Sequence, residues 1–243
     1  MNLVIDVGNT NVKLAVFQDF VIIGKRIGKL ESLEKDVAVL VKEFKDLKKA
    51  IISSVGRLKE KDIQIISKQI EVYTLNKNSK LPFKSKYKTP ETLGVDRIAL
   101  VSASTKFYPN QNVLIIDAGT CITYDFITSE NVYLGGAISP GIRLRYQSLN
   151  NLTENLPLLE KKAPKNLIGN SSKESIHSGV INGILMEIDG AIQEYNKKYK
   201  DLTVILTGGD TDFLSKRLKS SIFANSNFLL EGLNFILKLN SNK

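Results

Sequence analysis

The sequence contains two copies of one short phrase, in which an aliphatic strand ends in Asp-x-Gly followed within two positions by threonine. The first copy is Leu-Val-Ile-Asp-Val-Gly-Asn-Thr at residues 3–10, and the second is Leu-Ile-Ile-Asp-Ala-Gly-Thr at residues 114–120. Each copy continues into a second apolar stretch, which predicts a β-hairpin whose turn exposes backbone N–H groups and hydroxyls beside a carboxylate. Such a turn can bind phosphate oxygens and a hydrated cation. The repetition therefore predicts a duplicated domain with a nucleotide clamped between its halves.

Hydrophobic periodicity predicts a similar succession of elements after each copy. In the first half it predicts a strand at 20–29, a helix at 33–44, a buried strand at 50–55, a helix at 61–67, a strand at 71–75, a loop at 76–90 and a helix at 92–108. In the second half it predicts a strand at 131–138, a turn at 139–141, helices at 142–149, 175–199 and 228–239, and a buried strand at 203–207. The pattern indicates an α/β fold with domains at 1–112 and 113–243.

Composition sets the broad class of the protein. With 243 residues, 42% of them hydrophobic and 24% charged, the chain can build the core of a soluble globular protein. It has no apolar run of about 18 residues, so no membrane span is expected. The N-terminus shows no secretory signal, and the single cysteine, Cys121, cannot form an intramolecular disulfide. These features predict a cytoplasmic protein.

The net charge of +9, with 34 lysines and arginines, would attract anionic ligands, among which nucleic acid is one class. The basic residues are scattered along the chain and are not interleaved with aromatics on one strand face. No helix-turn-helix, zinc-finger or RNA-binding signature accompanies them. We therefore interpret the charge as solvated lysine-rich surface, and nucleic-acid binding is disfavoured.

The first copy has the residue types of a phosphate-binding turn. Gly8 lets the backbone approach a ligand, and Thr10 offers a hydroxyl. Lys13 offers a cation for phosphate, and Asp6 a carboxylate for hydrated magnesium. The structural alternative is that Asp-x-Gly-Asn-Thr is only a favourable hairpin turn. Gly208-Gly209-Asp210, after a buried strand, suits a backbone that passes under a flat ring, although a Gly-Gly pair alone is weak evidence.

The two Asp-x-Gly copies and the later Gly-Gly turn resemble the acetate and sugar kinase, Hsp70 and actin superfamily. Within it, four segments together resemble the type III pantothenate kinases: residues 6–10, 90–97 (Pro-Glu-Thr-Leu-Gly-Val-Asp-Arg), 117–120 and 135–141 (Gly-Gly-Ala-Ile-Ser-Pro-Gly). They occur in the family's order, and the resemblance covers nearly the whole chain.

The resemblance implies two ribonuclease-H-like domains, each a mixed five-stranded sheet with flanking helices, in a homodimer. The N-terminal domain would contain the ATP phosphate loop and the substrate loop. The C-terminal domain would contain the second phosphate loop, the adenosine turn and the dimer helices. The implied activity is phosphorylation of pantothenate to 4'-phosphopantothenate, the first step of coenzyme A biosynthesis. It uses ATP with Mg²⁺ and a monovalent cation, K⁺ or NH₄⁺.

Roles can be carried over only to matching positions. Asp96 would be the general base, Asp117 would hold the monovalent cation, and Ser172 would contact pantothenate across the dimer interface. At that last position the family usually has threonine, and the structural alternative for Ser171 and Ser172 is a helix N-cap. The implied ATP-binding residues are Asp6, Val7, Gly8, Asn9, Thr10, Asn11, Val12, Lys13 and Thr120. The implied substrate-binding residues are Tyr87, Gly94, Val95, Asp96, Arg97 and Ser172.

Two other functions remain open. Another small-molecule kinase of the superfamily would share the ATP loops but bind a different acceptor, against which the Gly-Val-Asp-Arg phrase at 94–97 argues. A non-catalytic transcription accessory protein could also use this scaffold. Retention of Asp6, Lys13, Asp96 and Asp117 disfavours that loss of catalysis.

Overall fold

The computed structural model describes residues 1–54, 58–76 and 79–241. The chain divides into two compact units. The first unit contains Met1–Pro109, Asn131–Tyr133 and Asn227–Lys243, and the second contains Asn110–Glu130 and Leu134–Ser226.

The order of helices and strands along the chain is repeated once, with three strands at the start of each repeat. In chain order they are β1 (Asn2–Val7), β2 (Val12–Gln18), β3 (Val21–Gly28), α1 (Leu33–Glu43), β4 (Lys49–Ser54), α2 (Glu60–Ser67), β5 (Glu71–Thr74), β6 (Lys84–Ser85), α3 (Val95–Phe107), β7 (Asn112–Ala118), β8 (Cys121–Ile127), β9 (Val132–Pro140), α4 (Ile142–Asn151), α5 (Ser172–Lys198), β10 (Leu202–Thr207), α6 (Thr211–Ser215), β11 (Phe223–Ala224) and α7 (Phe228–Ser241).

The sheet of the first unit has the strand order β3-β2-β1-β4-β5. β1 is antiparallel to β2 and parallel to β4. Side chains alternate between the two faces of a strand, so Leu3, Ile5 and Val7 pack into the core beneath α1 and α2. Val4 points to the opposite face, into the core formed with α3 and α7. Asp6 shares that second face, which places it on the side of the sheet covered by α3.

The sheet of the second unit repeats this order. Read from the β9 side, its strands run β9-β8-β7-β10-β11, which corresponds position by position to β3-β2-β1-β4-β5 of the first sheet. The predicted duplication of a mixed sheet is confirmed. The two-residue β6 pairs in parallel with Val132 and Tyr133 at the start of β9, and these paired residues all belong to the first unit. It lies within the predicted loop 76–90 and was not expected, because two polar residues give no periodic signal.

The C-terminal helix α7 belongs to the first unit. Leu230, Leu233 and Ile236 pack with Val4 of β1. At Gly232 the helix comes so close to α3 that a Cβ atom would lie 1.9 Å from the carbonyl oxygen of Ala99. The predicted boundary at 112/113 places this helix in the C-terminal domain, whereas in the structure it belongs to the first unit. An apolar stripe predicts that a helix is buried, but not which sheet buries it.

Most predicted elements agree with the structure to within a few residues. Residue 55, at the end of one predicted strand, lies outside the described residues. The predicted helix at 92–108 begins only at Val95, because Pro90–Thr92 forms a separate 3₁₀ turn. The predicted turn at 139–141 is also partly wrong, since β9 continues through Pro140 and Gly141 precedes α4. In the described ranges, none of the helices has the length and apolar character needed to cross a membrane.

Candidate functional site

A row of three polar side chains crosses the first sheet where β1 ends. Strand register pairs Asp6 with Lys13 of β2 on one side and with Ser53 of β4 on the other. Paired residues on neighbouring strands point to the same face. A cation, a carboxylate and a hydroxyl therefore lie side by side at the carboxyl end of β1.

The hairpin turn after β1 presents mainly exposed groups. The Gly8 N–H donates to the carbonyl of Asn11 at 3.1 Å and closes the turn. Asn9, Thr10 and Asn11 are exposed. Lys29, which the sequence did not single out, donates to the Thr10 carbonyl at 3.0 Å and to Asn11 Oδ1 at 2.9 Å. The Lys29 ammonium group thus stabilises the turn, and the residues at the tip of the turn face solvent.

Two of the predicted ATP-binding side chains point away from this turn. Val7 and Val12 are 1% and 2% exposed and belong to the core beneath α1 and α2. Only their backbone groups can face a nucleotide. Their side chains instead anchor the ends of the two strands.

Asp96 lies in the first turn of α3 and faces back toward the start of the helix. Its Oδ1 accepts a hydrogen bond from the Arg97 N–H at 2.8 Å. Gly94 is the N-cap residue, and a Cβ atom there would lie 2.3 Å from the same oxygen. A carboxylate is favoured at this position because the N-terminus of a helix carries partial positive charge.

The pKa of Asp6 is shifted by burial and by two nearby charged side chains. Burial raises the pKa of Asp6 to about 6, the nearby positive charge of Lys13 opposes this rise, and the negative charge of Asp96 adds to it. Asp6, Lys13 and Asp96 are therefore close enough to interact electrostatically within the first unit. A perturbed carboxylate beside a second acid and a lysine is typical of a functional site.

These residues fit a magnesium ion that arrives with phosphates. In the described parts of the chain, no three or more His, Cys, Asp or Glu side chains group together as a metal site. Mg²⁺ is usually held by one or two carboxylates, with phosphates and water as its other ligands. Asp6 can supply such a carboxylate. Burial raises its pKa, and a nearby cation would favour its charged form.

Arg97 and Tyr87 contact each other beside the candidate base. Arg97 is only 5% exposed, its Nη1 lies 3.5 Å from the Tyr87 hydroxyl, and its guanidinium lies 5.4 Å from the centre of the Tyr87 ring. The Tyr87 ring in turn stacks on Tyr133 with a centroid distance of 6.0 Å. The first unit contains five of the residues that are predicted to bind substrate: Tyr87, Gly94, Val95, Asp96 and Arg97.

The second Asp-x-Gly copy has a similar row in its own sheet. Asp117, the penultimate residue of β7, lies between Thr123 of β8 and Thr207 of β10. Gly208 has a φ of +97°, and a Cβ atom there would lie 2.4 Å from both Asp117 Oδ1 and the Ala118 carbonyl oxygen. The Gly-Gly turn therefore packs directly against Asp117.

Thr120 lies in the turn that follows. The Gly141 N–H donates to the Thr120 carbonyl at 3.1 Å, and a Cβ on Gly141 would lie 2.2 Å from the carbonyl oxygen of Gly119. The Pro-Gly segment is thus in close backbone contact with the second turn. The predicted nucleotide contact of Thr120 stays a prediction.

Ser172 is the exposed first residue of α5. The alternative interpretation as a helix cap is confirmed for its neighbour, because Ser171 is the N-cap and its hydroxyl accepts from the Glu174 N–H at 3.3 Å. Ser172 lines a cavity of about 670 Å³ in the second unit together with Gly169, Asn170 and Ile176. Its contact with substrate stays a prediction.

Sequence reasoning missed Ser53. It is 1% exposed and stands beside Asp6 in the sheet register. The signal was present in the run at residues 50–54, where an aliphatic strand ends in two serines. The strand register is needed to show that Ser53, and not Ser54, lies beside Asp6.

Comparisons with known proteins give a consistent family. A family model described as type III pantothenate kinase matches residues 2–194. The chain is similar to the type III pantothenate kinase of Christiangramia forsetii, with 53% identity over 99% of both chains. It is also similar to the protein of the same name from Flavobacterium johnsoniae, with 48% identity over 96% of both chains.

Solved structures with low sequence identity support the fold. A conserved Campylobacter jejuni protein assigned to the Baf family of transcriptional activators aligns with a TM-score of 0.66, 23% identity and coverage of 99% of this chain and 100% of the other. A ROK family glucokinase from Streptomyces griseus, in complex with glucose and AMPPNP, aligns with a TM-score of 0.53, 13% identity and coverage of 100% and 99%. The predicted fold of duplicated, actin-like ribonuclease-H domains is confirmed.

Proposed function

Because the chain belongs to the type III pantothenate kinase family, we propose that it transfers the γ-phosphoryl group of ATP to the primary hydroxyl of pantothenate. The product would be 4'-phosphopantothenate, on the route to coenzyme A. One observation supports this function above the others: Asp6, near the end of β1, interacts electrostatically with Lys13 of β2 and with Asp96 of α3. Phosphoryl transfer depends mainly on positioning and on electrostatic stabilisation.

The turn from Asp6 to Lys13 is the proposed phosphate loop. Its exposed Thr10 hydroxyl and backbone N–H groups can donate to phosphate oxygens. Lys13 supplies a positive charge on the same face. Magnesium, when bound with ATP, would neutralise phosphate charge beside Asp6.

Asp96 is the proposed general base. An alcohol has a pKa far above neutral, so the carboxylate would orient the pantothenate hydroxyl and accept its proton late in the transfer. The hydrogen bond from the Arg97 N–H to Oδ1 holds the carboxylate in one orientation. The other oxygen is then available to the hydroxyl.

Arg97 and Tyr87 are the proposed substrate-binding pair, with Gly94 and Val95 beside them. Pantothenate has a carboxylate, and a guanidinium is the side chain best suited to binding one. The Tyr87 ring against the guanidinium limits its motion, so less conformational entropy is lost on binding.

The remaining parts of the proposal rest on the family. Asp117 would hold the monovalent cation, and Thr120 would contact the nucleotide. Ser172 would contact pantothenate in a homodimer, and the enzyme would act in the cytoplasm.

A phosphorylation assay tests this function. Purified protein is incubated with γ-labelled ATP and magnesium, with and without K⁺, and pantothenate is compared with acetate and with sugars. We expect labelled phosphopantothenate only with pantothenate, and more of it with K⁺. Transfer to a sugar or acetate instead would favour another kinase of the superfamily. No transfer, together with salt-sensitive DNA binding, would favour the non-catalytic alternative.

A further inference from the structure

Ser53 is a buried hydroxyl without a hydrogen-bond partner. The residue is 1% exposed, and among the described residues no donor or acceptor meets its Oγ atom. Most buried polar side chains in proteins are hydrogen-bonded, and a buried group left unpaired costs about 1–3 kcal/mol. An unpaired hydroxyl in a well-packed strand therefore needs an explanation.

The next residue shows that this is not a property of the strand end. Ser54 points to the opposite face of β4, and its Oγ accepts a hydrogen bond from the Leu58 N–H at 3.2 Å. Ser54 thus has a structural role within the protein. Ser53 has none that the described residues reveal.

The position of Ser53 suggests where its partner comes from. Its register partner is Asp6, and the two side chains share one face of the sheet. Neighbouring strands lie about 4.8 Å apart, so the Ser53 hydroxyl stands next to the Asp6 carboxylate. Lys13 flanks the same carboxylate from the other side.

The groups around Asp6 suit a hydrated cation that arrives with phosphates. Asp6 supplies an anionic oxygen ligand, and Lys13 beside it supplies a positive charge for the phosphates. Asn9 and Thr10, in the turn that follows β1, are exposed to solvent. A hydrated cation held by Asp6 would give the Ser53 hydroxyl the partner that it lacks.

We propose that Ser53 is a positioning residue for the magnesium–nucleotide, and that its hydroxyl is hydrogen-bonded to the hydrated ion that Asp6 holds. This inference rests on the proposed function of the phosphate loop. It assigns to Ser53 a role only in the loaded protein. Removal of the hydroxyl then weakens magnesium-dependent binding and does not lower the stability of the free protein, where the hydroxyl has no partner.

The experiment compares two adjacent serines. Ser53→Ala and Ser53→Cys remove the strong hydroxyl donor with little change in volume, and Ser54→Ala is the matched control. Calorimetric titration measures ADP affinity with magnesium and, separately, with EDTA. Thermal unfolding without nucleotide measures the stability of each variant.

We expect both Ser53 variants to bind magnesium–ADP about tenfold more weakly, as for the loss of one hydrogen bond to a charged group. Their affinity for ADP in EDTA should match that of the wild type. Their melting temperatures should be equal to or higher than the wild-type value, because a buried hydroxyl without a partner has been removed. Ser54→Ala should show the reverse: a lower melting temperature and unchanged magnesium–ADP affinity.

Three outcomes would overturn the inference. They are unchanged magnesium–ADP affinity in both Ser53 variants, an equal loss with and without magnesium, and a loss that follows the melting temperature. A wild-type protein that does not bind magnesium–ADP at all would contradict the proposed function itself. The wild-type titration therefore distinguishes the two failures.

Discussion

Gly94 and Asp96 are so close that a Cβ atom on Gly94 would lie 2.3 Å from Oδ1 of Asp96. The carboxylate turns back over the first residues of α3, where the Arg97 N–H donates to it at 2.8 Å. This orientation requires a residue without a side chain at position 94. The glycine of the Gly-Val-Asp-Arg phrase is thus explained by the position of the candidate base.

Gly94→Ala should therefore reduce turnover without removing the carboxylate of the proposed general base. The new methyl group must displace the Asp96 side chain, and misplacement of a reacting group by about 1 Å can cost about 100-fold in rate. We expect kcat to fall by about 10- to 100-fold while magnesium–ADP affinity stays the same. Steady-state kinetics and calorimetry measure the two quantities.

The control is a double-mutant cycle with Asp96→Ala. Once the carboxylate has been removed, Gly94→Ala has nothing to displace and should have no further effect on kcat. Additive losses would mean that Gly94 acts through some other contact.

Asp96→Asn tests the general base directly. The amide keeps the shape of the side chain but cannot accept the proton, so we expect kcat to fall by about two to four decades. Nucleotide binding should be intact, because the proposed phosphate loop does not include Asp96. A variant with turnover close to that of the wild type would refute the assignment.

The sequence was sufficient for most of the helices and strands of this fold. The Asp-x-Gly hairpins predicted where backbone turns and carboxylates lie, because glycine and alternating apolar residues restrict the local structure directly. They also predicted the duplication, which the matching strand orders of the two sheets confirm.

The relationships that depend on tertiary packing could not be predicted. Ser53 lies next to Asp6 only because β4 pairs in parallel with β1 in one particular register. Arg145 of α4 forms an ion pair with Glu187 of α5 at 2.5 Å. The hydroxyl of Tyr124 in β8 donates to the same carboxylate at 2.9 Å. No local pattern in the sequence specifies such contacts between distant segments.

Arg97→Lys should weaken pantothenate binding while affecting ATP little. Lysine retains the charge but loses the planar, bidentate geometry and the contact with the Tyr87 ring. We expect KM for pantothenate to rise about tenfold or more, with KM for ATP unchanged. In Tyr87→Phe the ring is retained and only a 3.5 Å contact is lost, so its effect should be much smaller. Equal effects on both KM values in Arg97→Lys would indicate a structural role for Arg97.

Gly208→Ala and Gly209→Ala form a matched pair at the turn beside Asp117. Gly208 has a φ of +97°, and its Cβ atom would lie 2.4 Å from Asp117 Oδ1, whereas nothing lies within 4 Å of a Cβ on Gly209. We expect Gly208→Ala to lower the free energy of unfolding by about 1–3 kcal/mol and to weaken activation by K⁺. Gly209→Ala should change neither property. Urea denaturation measures the free energy of unfolding, and assays over a range of K⁺ concentrations measure the activation. A Gly208→Ala variant that responds normally to K⁺ would contradict the proposal that Asp117 holds the cation.

Asp6→Asn should make the protein without nucleotide more stable at neutral pH, while abolishing its affinity for magnesium–ADP. The pKa of Asp6 rises from 3.8 to about 6 on folding, so the unfolded chain loses this proton at a lower pH than the folded protein does. The resulting contribution to stability is complete below about pH 4 and is lost as the pH rises through 6. Asparagine has no such titration.

The free energies of unfolding of the two proteins should therefore diverge with pH. At pH 4 they should be similar, and at pH 7.5 the variant should be more stable by roughly 1–3 kcal/mol. Urea denaturation at both pH values measures the difference, from which the titrations common to both proteins cancel. A variant less stable than the wild type at pH 7.5 would mean that Lys13 and its other neighbours already compensate the carboxylate. In that case the free protein would hold Asp6 as a stabilising ion pair, and the cation would not be needed to complete its surroundings.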